Sequence, residues 1–378
     1  MKTMIMLIVL AVAGVVDLTV LWRLAYAFRL LKFPTDLEPE VKDLPTISVC
    51  IAARNETHAM TQCLERVVAS DYPKLEVIVL DDGSRDDTSV LIKSFAHAGV
   101  RFVEGKPLPE GWLGKNYAQS VLAHEASGKY VFFMDVDTLI ERFTIARLVG
   151  YMLKHDAKMV SVLPIRGDAW QTSTLMTTMR HFWTMVRFTP DHPRGVSSAW
   201  LVDRQLILDE FANDKTLPLS MLFETSIARK LSDARKYRLV LSDARVGLRY
   251  EKKYSSQIET SIRLLYPQCD AYTLQVLWLM VLLGITLVPY VAVWWQPWAA
   301  ILIVAQFGIA YFYLSKIWLH YRVAGALLIP LTIAQEIWLL VLSTYHYKRG
   351  TVTWKGRPVQ NVHGLRTKGV LPLHGSDS

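Results

Sequence analysis

The chain has 378 residues, of which 52% are hydrophobic and 12 are Trp, and its mean hydropathy of +0.22 is too high for an ordinary soluble protein of this length. Its 42 Lys and Arg exceed its 34 Asp and Glu, a modest basic excess suited to anionic headgroups; without a basic stripe carrying interleaved aromatics, no nucleic-acid partner is expected. Cys50, Cys63 and Cys269 are scattered, which argues against a disulfide framework and a cysteine metal knuckle, and fits a reducing compartment for the hydrophilic part.

In chain order, Met4 to about Leu31 forms one apolar segment, longer than the roughly 20 residues a bilayer requires. A cleaved signal peptide would carry a shorter apolar region followed by a small-residue cleavage site. Arg23, Arg29 and Lys32 lie towards or after the end of this segment and only Lys2 precedes it, so the positive-inside rule places the following domain in the cytoplasm. Residues 1–32 are therefore expected to be a transmembrane helix and residues 33–268 a cytoplasmic α/β domain. Residues 269–345 read as two to three membrane segments, broken at "WWQPW" and "KIWLHYR", and residues 346–378 as a basic cytoplasmic tail. Three full crossings in the C-terminal block would leave that tail outside. The segment expected to fall short is "AGALLIPLTIAQEIWLLVL", because Pro330, Gln335 and Glu336 are costly in lipid. Trp294, Trp295 and Trp298 read as an interfacial aromatic belt.

Within the α/β domain, "TISVCIAA", "LEVIVLDD", "VRFVEG", "YVFFMDVD" and "MVSVLP" are short apolar runs, and helix-like stretches such as "TSVLIKSFAHAG" separate most of them. That alternation predicts a mostly parallel, doubly covered sheet, in which ligands bind beyond the carboxyl ends of the strands. Three strands end in polar clusters: "ARNE" at Ala53 to Glu56, "DDGS" at Asp81 to Ser84, and "DVD" at Asp135 to Asp137. Each alone could be an ordinary turn. Together they are expected to face one crevice. The D-x-D suits a hard divalent cation, Mg2+ or Mn2+, held by one or two carboxylates and substrate phosphates. No Cys/His cluster has zinc spacing and no P-loop sequence is present.

The succession "AARNE", "DYPKLEVIVLDDGSRDDT", "PLPEGWLGKNYA", "FMDVDT", "FETSIARKL" and "TVTWKGR" resembles the membrane-bound family 2 glycosyltransferases of GT-A fold, in particular those acting on carotenoid or hopanoid lipids and, more distantly, ceramide glucosyltransferase. The resemblance implies a nucleotide-sugar donor, with a UDP-sugar first among the candidates, a lipid acceptor, and residence in the inner membrane with the catalytic domain facing the cytoplasm. It also implies that Glu56 and Asp82 read base and ribose, that Asp135 contacts the sugar nucleotide, and that Asp137 holds the metal. Lys115 would pair with phosphate or stay solvated; Arg249 and Tyr250 would stand near the acceptor entrance; Trp354 and Arg357 would close over nucleotide or acceptor.

An inverting transfer needs a base near the acceptor. Relatives show Glu-Asp before "LA", whereas this chain has Glu224 followed by Thr225. Either Glu224 is the base, or the acceptor arrives ionised. "SSQIETSIRLL" offers Gln257 and Arg263 without the Trp of the processive-synthase signature, which disfavours polymer synthesis, and as an amphipathic helix it is expected to lie in the membrane interface and guide a lipid acceptor. The expected function is inverting transfer of a single sugar to a membrane lipid of carotenoid, hopanoid, polyprenyl phosphate or glycerolipid/sphingolipid type. The alternative is a catalytically silent protein that senses a nucleotide sugar or serves as an assembly partner.

Overall fold

The computed structural model describes residues 2–32, 44–167 and 179–359. Its strands, in chain order, are β1 (Ile47–Ala53), β2 (Leu75–Asp81), β3 (Val100–Glu104), β4 (Tyr130–Met134), β5 (Thr138–Leu139), β6 (Met159–Leu163), β7 (Ile165–Arg166), β8 (Ala199–Asp203), β9 (Tyr237–Leu241), β10 (Arg249–Tyr250), β11 (Thr353–Trp354) and β12 (Arg357–Pro358). Seven of them form one sheet in the order β3-β2-β1-β4-β8-β6-β9. All neighbours pair in parallel except around β8, which runs antiparallel to both β4 and β6. The mostly parallel α/β class expected from the sequence is the class observed, with β8 and β9 added to the five strands recognised there.

The sheet is covered on both faces, which explains why its strands are apolar almost throughout. Cys50, Ile78, Val131 and Phe133 point to one side and pack with Trp200 and Phe223; Val49, Ile51, Val79 and Phe132 point to the other and pack with Met60 and Leu64. Leu24, Ala27, Phe28 and Leu31, at the end of the helix Lys2–Leu30, join the first of these cores. The Leu241 amide then bonds the Leu31 carbonyl at 2.7 Å, extending the sheet edge. The N-terminal helix is thus packed directly into the α/β domain.

Among the described residues, three helices are long and apolar enough to cross a membrane: Thr3–Leu30, Thr273–Ala292 and Pro297–Ile317. The last two are joined by a turn at Trp294 and Trp295, which are 82% and 67% exposed. "AGALLIPLTIAQEIWLLVL" is divided between Arg322–Leu327 and Ile329–Arg349, neither of which is in that class. Glu336 is fully buried and accepts from Trp183 Nε1 at 2.8 Å. Ser343 Oγ donates to the Ile262 carbonyl at 2.6 Å and accepts from the Tyr266 amide at 3.0 Å, so Ile329–Arg349 is bound to the amphipathic helix Tyr254–Gln268. Of the residues expected to keep this segment out of lipid, Glu336 bonds Trp183 and Gln335 accepts from the Tyr254 hydroxyl, while Ser343 adds a bond not anticipated from the sequence.

Candidate active site

The carboxyl ends of β1, β2 and β4 bring the three polar clusters to one edge of the sheet, because parallel pairing in register sets Ala53 beside Asp81 and Ile51 beside Met134. Just past β4, Asp135 donates its amide to the Ser198 carbonyl at 2.9 Å, and its own carbonyl accepts from the Thr138 amide at 3.0 Å. This turn exposes the Asp135 carboxylate to Lys115 Nζ, 2.5 Å from Oδ1, and the same ammonium donates to the Ser197 carbonyl at 3.1 Å. Lys115 comes from the first turn of the helix Gly114–Glu125, and its ammonium is engaged by Asp135 rather than standing free in a loop.

Asp137 is held differently. β10 pairs antiparallel with β5, and the Glu251 amide donates to the Asp137 carbonyl at 2.9 Å. That register delivers Lys252 Nζ to 3.2 Å from Asp137 Oδ2. The other carboxylate oxygen, Oδ1, is buried with no hydrogen-bond partner among the described residues. A buried carboxylate oxygen left unpaired is expensive. An all-oxygen site with one unfilled carboxylate position fits a hard divalent cation completed by diphosphate and water. No group of three or more His, Cys, Asp or Glu with metal-holding geometry occurs among the described residues, which excludes an all-protein cage there but not such a shared site.

The remaining acids meet the C-terminal hairpin β11–β12. Arg357 Nη1 lies 2.9 and 2.7 Å from the two carboxylate oxygens of Asp82, and Lys355 Nζ donates to Glu56 Oε1 at 2.8 Å. Arg54 adds a bond to the Asp82 carbonyl and one of 3.3 Å to the Lys355 carbonyl. Burial raises the carboxyls of both Asp82 and Glu56 above their ordinary values, opposed by Arg357 and Lys355 respectively. Trp354 covers Gly114 so closely that a Cβ there would stand 2.8 Å from the ring, and Arg263 places its guanidinium 5.7 Å from the centre of the same ring. The tail thus brings Trp354 against Arg263 of the helix Tyr254–Gln268. Gln257 itself accepts from Arg166 Nη1 at 2.8 Å.

Glu224 is 4% exposed, in the first turn of the helix Phe223–Ser232. Gly195 approaches the Glu224 backbone closely enough that a Cβ would lie 2.6 Å away, and its amide donates to Thr225 Oγ1 at 3.0 Å. Thr225 thus anchors the neighbouring loop. Asn116 Nδ2 fixes the approach to this helix by donating to the carbonyls of Leu217, Pro218 and Ser220 at 2.9, 3.1 and 2.9 Å.

A cavity of about 70 Å3 brings together Lys115, Asp135, Glu224, Lys252, Trp354 and Arg357. Asp82 and Asp137 adjoin it through Arg357 and Lys252, whereas Glu56 pairs with Lys355, which is not in its lining. Arg249 and Tyr250 are not in its lining: Arg249 pairs with Glu141 at 3.2 Å, and Tyr250 is buried edge-on to His181. Sequence reasoning overlooked Arg54, Lys252 and Lys355. Arg54 lies within the "ARNE" cluster and Lys355 within the tail motif, whereas Lys252 carried no local signal.

Residues 48–208 match the family model Glycosyl transferase family 2. Over 113 residues the chain is 34% identical to a probable glycosyltransferase, YdaM, of Bacillus subtilis, covering 29% of this chain and 27% of that protein. Over 140 residues it is 30% identical to poly-beta-1,6-N-acetyl-D-glucosamine synthase of Staphylococcus aureus, covering 36% and 33%. The matches thus span a third or less of those relatives' lengths. Among solved structures, the mannosyltransferase PcManGT of Pyrobaculum calidifontis, in complex with GDP-Man and Mn2+, is 19% identical with a TM-score of 0.55 over 89% of this chain and 98% of that one, a likeness of fold. Residues 48–208 thus resemble a family 2 glycosyl transferase domain, and the fold around them is of the GT-A kind.

Proposed function

We propose that the protein transfers a single sugar, with inversion, from a nucleotide-sugar donor to a membrane lipid acceptor. The observation that carries this reading is the convergence of Lys115, Asp135, Glu224 and Lys252 on one cavity whose far wall, Arg263 and Leu264, belongs to the helix leading into the apolar C-terminal pair. Donor chemistry and membrane are adjacent there.

In this mechanism Asp82 and Glu56 hold the base and ribose once Arg357 and Lys355 yield them or turn towards the diphosphate. Lys115 and Lys252 offset the charge of the phosphates and of the acids beneath them. Asp137, assisted by Asp135, would hold a divalent cation, which supplies neutralisation of the diphosphate as it leaves. Glu224 takes the proton of the acceptor hydroxyl while its oxygen forms the bond to the anomeric carbon and the bond from that carbon to the diphosphate breaks. The buried position of Glu224 keeps bulk water from competing for the donor.

Purified full-length protein is incubated with native membrane lipid extract and a panel of labelled nucleotide sugars, and products are read by mass spectrometry. One labelled lipid species is expected, and transfer should stop in excess chelator. Glu224→Gln should lower turnover about 100- to 10,000-fold with little change in donor affinity, whereas Asp137→Asn should weaken metal-dependent donor binding itself. Donor binding without any release of nucleoside diphosphate on addition of lipid would sink the enzyme reading in favour of a sensor.

A further inference from the structure

Three arginines converge where the amphipathic helix Tyr254–Gln268 hands over to the apolar helix Thr273–Ala292. Arg187 Nη1 donates to the carbonyl of Gln268, the last residue of the first helix, at 2.9 Å, and Arg194 Nη2 reaches the same oxygen at 3.5 Å. Arg229 approaches from another element. It lies one turn beyond Thr225 on the helix Phe223–Ser232, and Thr225 Oγ1 holds the amide of Gly195, the residue after Arg194. Side chains four apart share a helix face and lean towards its N-terminus, so Arg229 is directed back over that loop.

A cation at the end of a helix caps its last carbonyls, which accounts for Arg187. It does not account for all three. Among the described residues none of them forms an ion pair, and Asp270, whose charge offsets part of theirs, bonds none of them. Arg229 also donates no hydrogen bond there: its Nε is enclosed, while its two Nη nitrogens stay open and are the atoms a ligand can reach. Burial, followed by the charges of Arg187 and Arg229, pushes Arg194 down to about 10. Like charges gathered without a paired acid call for an anion.

The surroundings narrow its chemistry. Arg23, near the end of the first apolar helix, donates to the carbonyls of Val186 and Phe188, on either side of Arg187, at 2.7 and 2.8 Å. Leu274, Leu277 and Trp278 face outward shortly after Gln268. With the apolar helices in a bilayer, the arginines stand at headgroup level, where a phosphate offers more oxygens than a carboxylate and suits the guanidinium fork. We propose that Arg187, Arg194 and Arg229 bind the phosphate of an anionic membrane lipid, at a site separate from the catalytic cavity, whose lining includes none of them. The two sites share a loop. Beyond Arg194, the Ser197 carbonyl accepts from Lys115 and the Ser198 carbonyl from the Asp135 amide, so a bound lipid would tie the segment that positions both to the membrane surface. The proposal requires Thr273–Ala292 to lie in a membrane; it does not require sugar transfer.

Full-length protein, delipidated in dodecyl maltoside, is titrated with dioleoylphosphatidylglycerol, with dioleoylglycerol, which has the same chains and no phosphate, and with inorganic phosphate; bound adducts are read by native mass spectrometry. Phosphatidylglycerol should be retained at about tenfold or more lower concentration than dioleoylglycerol, the scale of one charged hydrogen bond. Inorganic phosphate, lacking chains, should displace it only at far higher concentration. Arg194→Gln and Arg229→Gln should each remove about tenfold of that preference. Lys154→Gln, which deletes an equal charge from an exposed residue of the helix Thr144–Lys154 on the opposite face of the sheet, should leave it unchanged. Equal retention of the two lipids by the unmodified protein overturns the proposal without recourse to a variant. An equal loss in Lys154→Gln overturns it too, by reducing the attraction to net charge. Displacement by inorganic phosphate at the concentration of the lipid itself overturns the lipid as the source. Retention is read without turnover, so this proposal and the sugar-transfer reading fail separately.

Discussion

Asp82 is buried and Glu56 partly buried, and the ion pairs of both only partly offset the cost of taking their carboxylates from water. A carboxyl raised above its unfolded value contributes stability below the ordinary acid range and loses that contribution as pH rises through the raised value. At neutral pH the ionised form of Asp82 is therefore a cost to folding. Asp82→Asn is expected to melt no lower than the unmodified protein at pH 7, with any gain shrinking as pH falls through the raised value, while donor affinity drops about tenfold or more, the scale of a lost charged hydrogen bond. Melting curves across pH together with donor titrations check this, and a lower melting temperature at pH 7 would show the Arg357 pair to be net stabilising. The acids were legible because each ends an apolar run at a strand terminus, where acidic side chains have no packing reason to be. Their cationic partners were not assigned: Arg54 and Lys355 stand within quoted motifs and Lys252 in none, but all three pairings depend on strand register or on a tail nearly 300 residues away.

The hairpin β11–β12 turns through Lys355 and Gly356, both at positive φ, as a two-residue loop requires. An isolated two-stranded hairpin is marginal in water. What holds this one is Arg357 on Asp82, Lys355 on Glu56 and the Trp354 ring between Arg263 and Gly114. Arg357→Met should therefore raise amide exchange across residues 353–357 about tenfold or more, since ~1.4 kcal/mol of lost docking corresponds to tenfold. Gly114→Val, which pushes on the Trp354 ring from below, should act in the same direction. Exchange unchanged in both variants would mean that the hairpin is held by something other than these side chains. The sequence showed "TWKGR" as a motif but not its placement over the acids. Strand recognition has a similar limit: β1, β2, β3, β4 and β6 were evident as apolar runs, whereas β8 and β9 are five-residue segments embedded in polar sequence. The antiparallel insertion of β8 between β4 and β6 is set by tertiary pairing, which no local pattern encodes.

At the scale of the whole molecule, hydropathy separated the long apolar helices from the α/β domain because crossing about 30 Å of hydrocarbon demands a long apolar run. It left the parity of the C-terminal block open. The structure supplies a physical reason for an even count there: Thr273–Ala292 and Pro297–Ile317 form an apolar pair, while Ile329–Arg349 spends its polar residues on Trp183, Ser343's partners and the helix Tyr254–Gln268. If the pair crosses out and back, Trp294 and Trp295 lie on the far side, and the hairpin remains on the side of the acids it contacts. Cys50, Cys63 and Cys269 are all buried, so an introduced surface cysteine can be read against a quiet background. Trp295→Cys should react with an impermeant thiol reagent added to intact cells, whereas Lys348→Cys, on an exposed residue of the last helix, should react only after the membrane is opened. Ser376, in the tail expected to share that side, lies outside the described residues. Labelling of Lys348→Cys from outside would place the hairpin, and with it Asp82 and Glu56, across the membrane from any cytoplasmic nucleotide sugar. In that event the donor chemistry proposed here would have to be abandoned together with the topology.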